Sequence, residues 1–155
     1  MNNKGFTLTE VVVTLAILSI MATIAIPSYI SWLPKHRLQT SVRQIYDDLN
    51  LAKMEAVRRN TDVFVQFSRA NDTYSVILDS NNSGAVDGGD TTLKNNIALE
   101  DGVNINSTSL GGDTVGFNNR GMTVGGAAGT GAVNLTNPTG NGGVQVLLTG
   151  NTSTF

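Results

Sequence analysis

A polar loop at residues 79–90, DSNNSGAVDGGD, has the residue types of a calcium-binding site. Its carboxylate, amide and hydroxyl oxygens follow the spacing of an EF-hand loop, which binds calcium through such oxygens. The flanking VIL and TTLK segments are typical of strands, whereas helices border an EF-hand. An ordinary polar hairpin turn uses the same residue types and is the alternative interpretation. The candidate calcium ligands are Asp79, Asn81, Ser83, Asp87 and Asp90.

A single carboxylate in an apolar segment is the second candidate for chemistry. In the 21-residue segment 6–26, Glu10 is the only ionisable side chain. A carboxylate at the centre of a bilayer costs about 2.5 kcal/mol or more. Glu10 therefore either extends to the membrane surface or has a partner that offsets this cost.

The composition gives little support to catalysis. The chain has no cysteine, which excludes disulfides, thiolate nucleophiles and cysteine metal sites. His36 is the only histidine, so a two-histidine metal motif is also excluded. No glycine-rich phosphate loop, pair of carboxylates or nucleophile elbow stands out. We predict that the protein is not an enzyme and needs no cofactor, with calcium as the one candidate ligand.

Charge and glycine content divide the chain into two parts. Residues 1–60 hold seven lysines and arginines against four acidic residues, whereas residues 61–155 hold three against eight. Sixteen of the 17 glycines lie at or after Gly84. A basic stem therefore carries an acidic head rich in turns, and such a head repels the phosphates of nucleic acids.

The stem is predicted to contain two consecutive helical segments, 6–30 and 31–60. The first is apolar, and the helix formed by residues 6–26 is about 30 Å long, enough to cross a bilayer. A cleaved secretory signal is the alternative, but the stretch before the apolar core is short and no clear cleavage site follows it. Pro27 and Pro34 each remove a backbone hydrogen bond, so we expect the helix to bend at both residues.

The second helical segment is amphipathic. Six apolar residues recur at alternating spacings of four and three, which places them on one face of a helix. Polar residues, Asp48 among them, are assigned to the remaining surface. The apolar stripe consists of Leu38, Val42, Ile45, Leu49, Ala52 and Ala56.

From residue 62 onward the apolar residues alternate with a period of two. Segments rich in β-branched and aromatic residues are separated by Gly, Asn, Asp and Ser. The predicted fold class is α+β: a long N-terminal helix, membrane-embedded over its first half, packs on an antiparallel β-sheet head at 61–155. Segment GGAAGTG, at 125–131, lacks an apolar pattern and is predicted to be a mobile loop. The predicted strands are DVFVQF, TYSVIL, VNIN, TVGF, AVNL and GVQVLL.

The N-terminal segment KGFTLTEVVVTLAILSIMATIAIPSY resembles the leader and first helix of type IV pilins and of the pseudopilins of type II secretion. The resemblance implies cleavage between Gly5 and Phe6 by a prepilin peptidase, which removes residues 1–5 as a leader, and N-methylation of Phe6. It also implies that Glu10, the fifth residue of the processed chain, pairs with the new ammonium group of a neighbouring subunit. A glutamate that only extends to the membrane surface is the alternative.

The remainder of the chain resembles the GspH/FimT group of minor pilins and pseudopilins. The likeness lies in LNLAKMEAVRRNTDVFVQF, in the hairpin YSVILDSNNSGAVDGGDTTLK and in VGFNNRGMTVGG. It implies a structural minor subunit, made in the inner membrane with a periplasmic head and then incorporated into a type IV pilus or a type II secretion pseudopilus. The implied partners are other pilin subunits, the inner membrane and the prepilin peptidase/methyltransferase.

DNA binding is the alternative function, because some FimT-type pilins resemble DNA receptors for transformation. Those proteins carry an arginine motif near the C-terminus, where this chain has TGNTSTF instead. Arg58 and Arg59 lie where cations suit the C-terminus of a helix. DNA is therefore not an expected partner.

Overall fold

One long helix forms the stem. The computed structural model describes residues 5–124, 131–146 and 151–155. Helix α1 spans Leu8–Arg59, so the two predicted helical segments are continuous. Thr7 caps its N-terminus, and the Thr7 Oγ1 accepts a hydrogen bond from the Glu10 N–H at 3.3 Å. The helix ends at Asn60, whose left-handed conformation (φ 55°) brings its N–H to the Ala56 carbonyl.

Both prolines of the stem lie inside α1. The helix continues through Pro27 and Pro34 without a break, although neither residue can donate a backbone hydrogen bond. The Pro34 carbonyl also accepts a hydrogen bond from the Asn137 side-chain amide at 2.6 Å, which joins the stem to the head at this level. The bend at each proline stays a prediction.

The head consists of two antiparallel sheets rather than one. Five strands are hydrogen-bonded in the order β3-β2-β1-β5-β6, and four others in the order β4-β7-β8-β9. A short 3₁₀ turn, Gly111–Asp113, lies between β4 and β5. The strands are β1 (Val63–Ser68), β2 (Thr73–Leu78), β3 (Thr91–Ala98), β4 (Asn104–Thr108), β5 (Thr114–Phe117), β6 (Thr123–Val124), β7 (Gly131–Asn137), β8 (Gly140–Val146) and β9 (Thr152–Thr154).

Most predicted strands are present with small changes in their ends. TYSVIL and TVGF match β2 and β5 residue for residue, and the other four predicted segments overlap β1, β4, β7 and β8. The predicted loop at 125–131 lies outside the described residues except for Gly131, which begins β7. The final two residues of GVQVLL also lie outside them.

The apolar stripe of α1 forms one wall of the core. All six predicted stripe residues are buried, and the helix contacts strands of both sheets. The largest side chains on the sheet side include Phe117, Leu135 and Tyr74, each almost fully buried. The prediction that the second half of the stem covers the head is therefore confirmed.

The prediction that Asp48 lies on the polar surface of α1 is wrong. Its exposed fraction is only 7%. It lies three residues after Ile45 and four before Ala52, which places it on the same helix face as the stripe. Polar side chains from the sheet meet it there, so the charge is buried with partners.

Candidate assembly helix and polar sites

The first half of α1 is apolar and uncovered on all sides. Between Leu8 and Trp32 every residue is exposed except Ala22, which is half-buried. An 18-residue window of α1 has a mean hydropathy of 2.3 and no buried residue, so the helix is long and apolar enough to cross a membrane. An exposed apolar surface of this size needs a bilayer or other apolar helices around it.

Glu10 lies in the first turn of this exposed helix. Its backbone N–H bonds to Thr7, and Thr7-x-x-Glu10 has the spacing of a capping box. Its carboxylate forms no salt bridge with any residue in 5–124, 131–146 or 151–155. Within one subunit, the electrostatic partner available to this carboxylate is therefore the positive end of the helix dipole.

Gly5 and Phe6 precede the helix in an exposed, non-helical segment. Phe6 is 82% exposed, so the bond between the two residues is open to an enzyme. A Cβ atom at residue 5 would have no neighbour within 4 Å. The fold therefore sets no steric requirement for glycine at this position.

The loop at 79–90 is held together by its own hydrogen bonds. Asp79 is 1% exposed, and its two carboxylate oxygens accept the N–H groups of Ser83 at 3.0 Å and Gly84 at 2.8 Å. Gly84 has a φ of +75°, which suits a residue without a side chain. Asp90 accepts the N–H of Asp87 at 2.9 Å. These bonds are those of a tight polar turn.

An amide nitrogen occupies the position where a cation would need an oxygen. The Asn81 Nδ2 donates to both oxygens of Asp87, at 2.9 and 3.0 Å. The amide cannot simply rotate, because its Oδ1 accepts the N–H of Ser83 at 2.9 Å. The Asp87 carboxylate also accepts the N–H of Gly89 at 2.8 Å. The bonds from the Asn81 amide and the Gly89 N–H together lower the pKa of Asp87. No group of three or more His, Cys, Asp or Glu side chains in the described part of the chain is placed to hold a metal ion.

Calcium binding stays a prediction, which titration calorimetry can test. We expect no saturable heat when millimolar calcium is added to the detergent-solubilised chain, because a bound ion would have to displace the bonds between Asn81 and Asp87. Asn81→Asp is the matched variant, since it replaces the amide donor by a carboxylate at the same position. Saturable binding to the parent chain would show that the loop rearranges around the ion.

Asp62 lies beside this loop, where its charge is unfavourable. Burial raises the pKa of Asp62, and the nearby Asp79 carboxylate raises it further. The native state therefore keeps the Asp62 proton at pH values where the unfolded chain, with an aspartate pKa of about 3.9, has lost it. The free energy of unfolding consequently falls as the pH rises through this window.

Asp62→Asn is expected to stabilise the protein at pH 7, because it removes the poorly solvated charge. The gain should shrink as the pH falls and should vanish below about pH 4, where Asp62 is protonated in both states. Urea unfolding of both proteins at a series of pH values measures this difference. A gain of equal size at pH 3 and pH 7 would show that the charge is not its cause.

The arginine pair at the end of α1 is partly neutralised. Arg58 and Arg59 both donate to one oxygen of Glu55, each at 2.6 Å. These bonds lower the pKa of the Glu55 carboxyl. Both arginines also lie in the last turn of the helix, where the sequence predicts that cations suit the helix C-terminus. This arrangement does not favour the alternative function of DNA binding.

A polar triad with a buried carboxylate and a buried hydroxyl joins α1 to the five-stranded sheet. The Asp48 carboxylate accepts the Tyr74 hydroxyl at 2.8 Å and the Lys94 ammonium at 2.5 Å. Burial and the Asp48 charge strongly raise the pKa of Tyr74. Lys94 is 44% exposed, whereas Asp48 and Tyr74 are buried. The triad fixes the rotation of the helix over strands β2 and β3.

Comparison with models of protein families assigns the chain to a family. The family model for the type II transport protein GspH matches residues 41–154, which is most of the head and its covering helix. The chain belongs to the GspH family. A second model, the prokaryotic N-terminal methylation motif, matches residues 1–26. The two matches confirm the resemblance to minor pilins and pseudopilins, whose members are structural proteins rather than enzymes.

Solved structures of this GspH-family fold come from both kinds of filament. The type IV minor pilin FimU of Pseudomonas aeruginosa matches with a TM-score of 0.60 and 13% identity, over 77% of this chain and 88% of FimU. The minor pseudopilin EpsH from the type 2 secretion system of Vibrio cholerae matches with a TM-score of 0.58 and 15% identity, over 77% of this chain and 96% of EpsH. These likenesses confirm the pilin-like α+β fold. No curated protein has a significant match to the sequence.

Proposed function

We propose that this GspH-family protein is a minor structural subunit of a type IV pilus or a type II secretion pseudopilus. A prepilin peptidase cleaves the precursor between Gly5 and Phe6 and methylates the new amino group. Before assembly, the processed subunit stays in the inner membrane with its head in the periplasm. It then joins other pilin subunits through the first half of α1 and contributes to priming or capping of the filament.

The observation that carries this proposal is the exposed apolar half of α1 with Glu10 near its start. A filament in which such helices lie side by side buries this surface from water. It also provides Glu10 with a cation, since cleavage leaves an ammonium group on Phe6 of every subunit, and the ammonium of one subunit can lie beside the Glu10 carboxylate of its neighbour. At an effective dielectric constant near 20, two opposite charges about 4 Å apart gain roughly 4 kcal/mol.

The pairing of Glu10 makes assembly specific in register. A neighbouring helix displaced along its axis by one turn, about 5.4 Å, would move its ammonium away from the carboxylate. Such a displaced subunit would leave a charge in apolar surroundings without its partner, which is costly. The carboxylate therefore selects one axial offset between neighbouring subunits.

Mass spectrometry of filaments sheared from the cell surface tests the proposal. We expect a peptide that begins at N-methylated Phe6, at a low ratio to the major subunit. The same peptide found only in the inner-membrane fraction would assign the protein to a secretion pseudopilus or a priming complex. Recovery of chains that keep the residues before Phe6 in both fractions would overturn the proposal.

A further inference from the structure

Three aromatic rings form a stripe on α1 just beyond the apolar segment. We call Tyr29, Trp32 and His36 the interfacial stripe. Trp32 and His36 are stacked, with ring centroids 4.6 Å apart and planes at 14°, and Tyr29 lies 6.2 Å from Trp32. Spacings of three and four residues place all three on one face of the helix. All three side chains are exposed.

The head begins at the level of this stripe but on another side of the helix. The Asn137 amide bonds to the Pro34 carbonyl at 2.6 Å, and the Arg37 guanidinium bonds to the carbonyl and carboxylate of Asp101, both at 3.1 Å. Trp32 and Pro34 are two residues apart and therefore about 200° apart around the helix. The head covers one side of α1 at this level and leaves the stripe side open.

Helix length places the stripe at a membrane surface. If Phe6 lies at one edge of the hydrocarbon core, about 30 Å of helix brings the other edge close to Ile26. The Tyr29 backbone then lies roughly 5 Å beyond that edge, in the headgroup region, and the Trp32 backbone roughly 9 Å beyond it, at the outer limit of that region. Helical side chains lean toward the N-terminus, so the Trp32 ring reaches back into the headgroups. His36 follows on the watery side. Tyrosine and tryptophan are enriched at this depth, because their rings are apolar and carry one polar group.

The charges beside the stripe suit phosphate. Lys35 is exposed and adjoins His36, and its long side chain can extend toward a lipid headgroup. Arg37 is already paired with Asp101 in the head, so its charge is partly neutralised. The Trp32 indole N–H is a further donor. The helix therefore offers apolar rings at one level and, about one turn beyond Trp32, the cation of Lys35 on the flank of the stripe, beside the groove between α1 and the head.

We propose that the interfacial stripe, together with Lys35, binds the phosphate region of phospholipids on the periplasmic side of the membrane and fixes the depth of the unassembled subunit. This inference rests on the membrane insertion contained in the proposed function. The head loops around Asp101 and Asn137 then stand directly above the headgroups, and Glu10 is held near the opposite surface of the bilayer.

The chain contains one tryptophan, so its fluorescence reports on the stripe alone. The full chain is reconstituted in phosphatidylcholine vesicles with or without phosphatidylglycerol, using lipids brominated either near the ester end or near the methyl end of the acyl chain. Two controls carry Trp32→Phe with a new tryptophan elsewhere: Ala16→Trp at the expected bilayer centre, and Met54→Trp on the exposed face of α1 far beyond the membrane.

We expect bromines near the ester end to quench Trp32 at least about two-fold more than bromines near the methyl end. Ala16→Trp should show the opposite order, and Met54→Trp should show little quenching by either lipid. Lys35→Glu should weaken the shallow quenching of Trp32 in phosphatidylglycerol vesicles more than in phosphatidylcholine vesicles.

Two results would overturn the inference about the stripe while leaving the proposed function intact, and a third would refute both. Deep quenching of Ala16→Trp without shallow quenching of Trp32 would show that the chain inserts but that the stripe does not bind lipid. Shielding of Trp32 only in assembled filaments would assign the stripe to a neighbouring subunit instead. Absence of quenching at both positions would refute membrane insertion itself, and with it the proposed function.

Discussion

Glu10→Val is expected to leave the precursor inserted and processed but to remove the protein from filaments. The lost pairing with a neighbouring ammonium corresponds to about 4 kcal/mol, or close to a thousand-fold in the equilibrium of incorporation. The change leaves the apolar surface of α1 intact, and valine is favourable in a bilayer, so membrane insertion should persist. Quantitative mass spectrometry of the filament and membrane fractions measures the change.

The structure adds a rival explanation for Glu10 that a second variant separates. Glu10 lies at the third helical position after the Thr7 cap, where a glutamate or a glutamine can complete a capping box. Glu10→Gln keeps that capacity but removes the charge. If charge pairing controls assembly, Glu10→Gln should be lost from filaments like Glu10→Val.

Thr14→Val is the matched control for these two variants. It also removes a polar side chain from the exposed half of α1, but its hydroxyl only bonds to the Val11 carbonyl of the same helix. Incorporation of this control should stay near the parental level. Parental incorporation of Glu10→Gln, together with loss of Glu10→Val, would favour the capping role and refute the pairing.

Asp48→Ala is expected to destabilise the contact between α1 and the head. It leaves the buried Tyr74 hydroxyl without its acceptor and releases the Lys94 ammonium. We expect a loss of about 2 to 3 kcal/mol in the free energy of unfolding, since the carboxylate accepts two hydrogen bonds, one of them from a charged group. Because Lys94 is partly exposed and regains water, the loss should stay below that of a fully buried ion pair.

Asp47→Ala provides a control that differs only in position. Asp47 is the preceding residue of the same helix and is exposed. Its replacement should change the stability by less than about 0.5 kcal/mol, as is usual for surface positions. Urea unfolding of the detergent-solubilised chain at pH 7 measures both variants. Equal losses would mean that the triad contributes nothing beyond a general effect of charge on α1.

The features that the sequence predicts well are those set by local periodicity. The stripe from Leu38 to Ala56 keeps one helical period over five turns, and burial of its six members follows from that period alone. β2 and β5 alternate clearly and have turn residues on both sides. The pilin-like N-terminus can be recognised from the sequence equally well, because its motif is contiguous and its residues have fixed positions.

The features that were missed depend on contacts between distant segments. Asp48 lies on the same helix face as the apolar stripe, but a carboxylate on that face can be buried only because Tyr74 and Lys94, from distant strands, meet it. Strand β9 is short and polar and has no alternating pattern, and β3 is an exposed edge strand with a similarly weak signal. The division into two sheets could not be predicted either, since the alternation of apolar and polar residues within a strand does not indicate which other strand it pairs with.

The order of the strands has a consequence for the folding of the head. The chain passes from the five-stranded sheet to the other sheet at β4, returns for β5 and β6, and leaves again for β7 to β9. β1 pairs with β5, and β4 pairs with β7, so neither sheet can be completed before the later segments of the chain are available. A chain whose translation stops early exposes open strand edges in place of a finished head. A truncated chain therefore differs from a complete one in the strand edges that it leaves unpaired, and both sheets depend on nearly the whole length of the head.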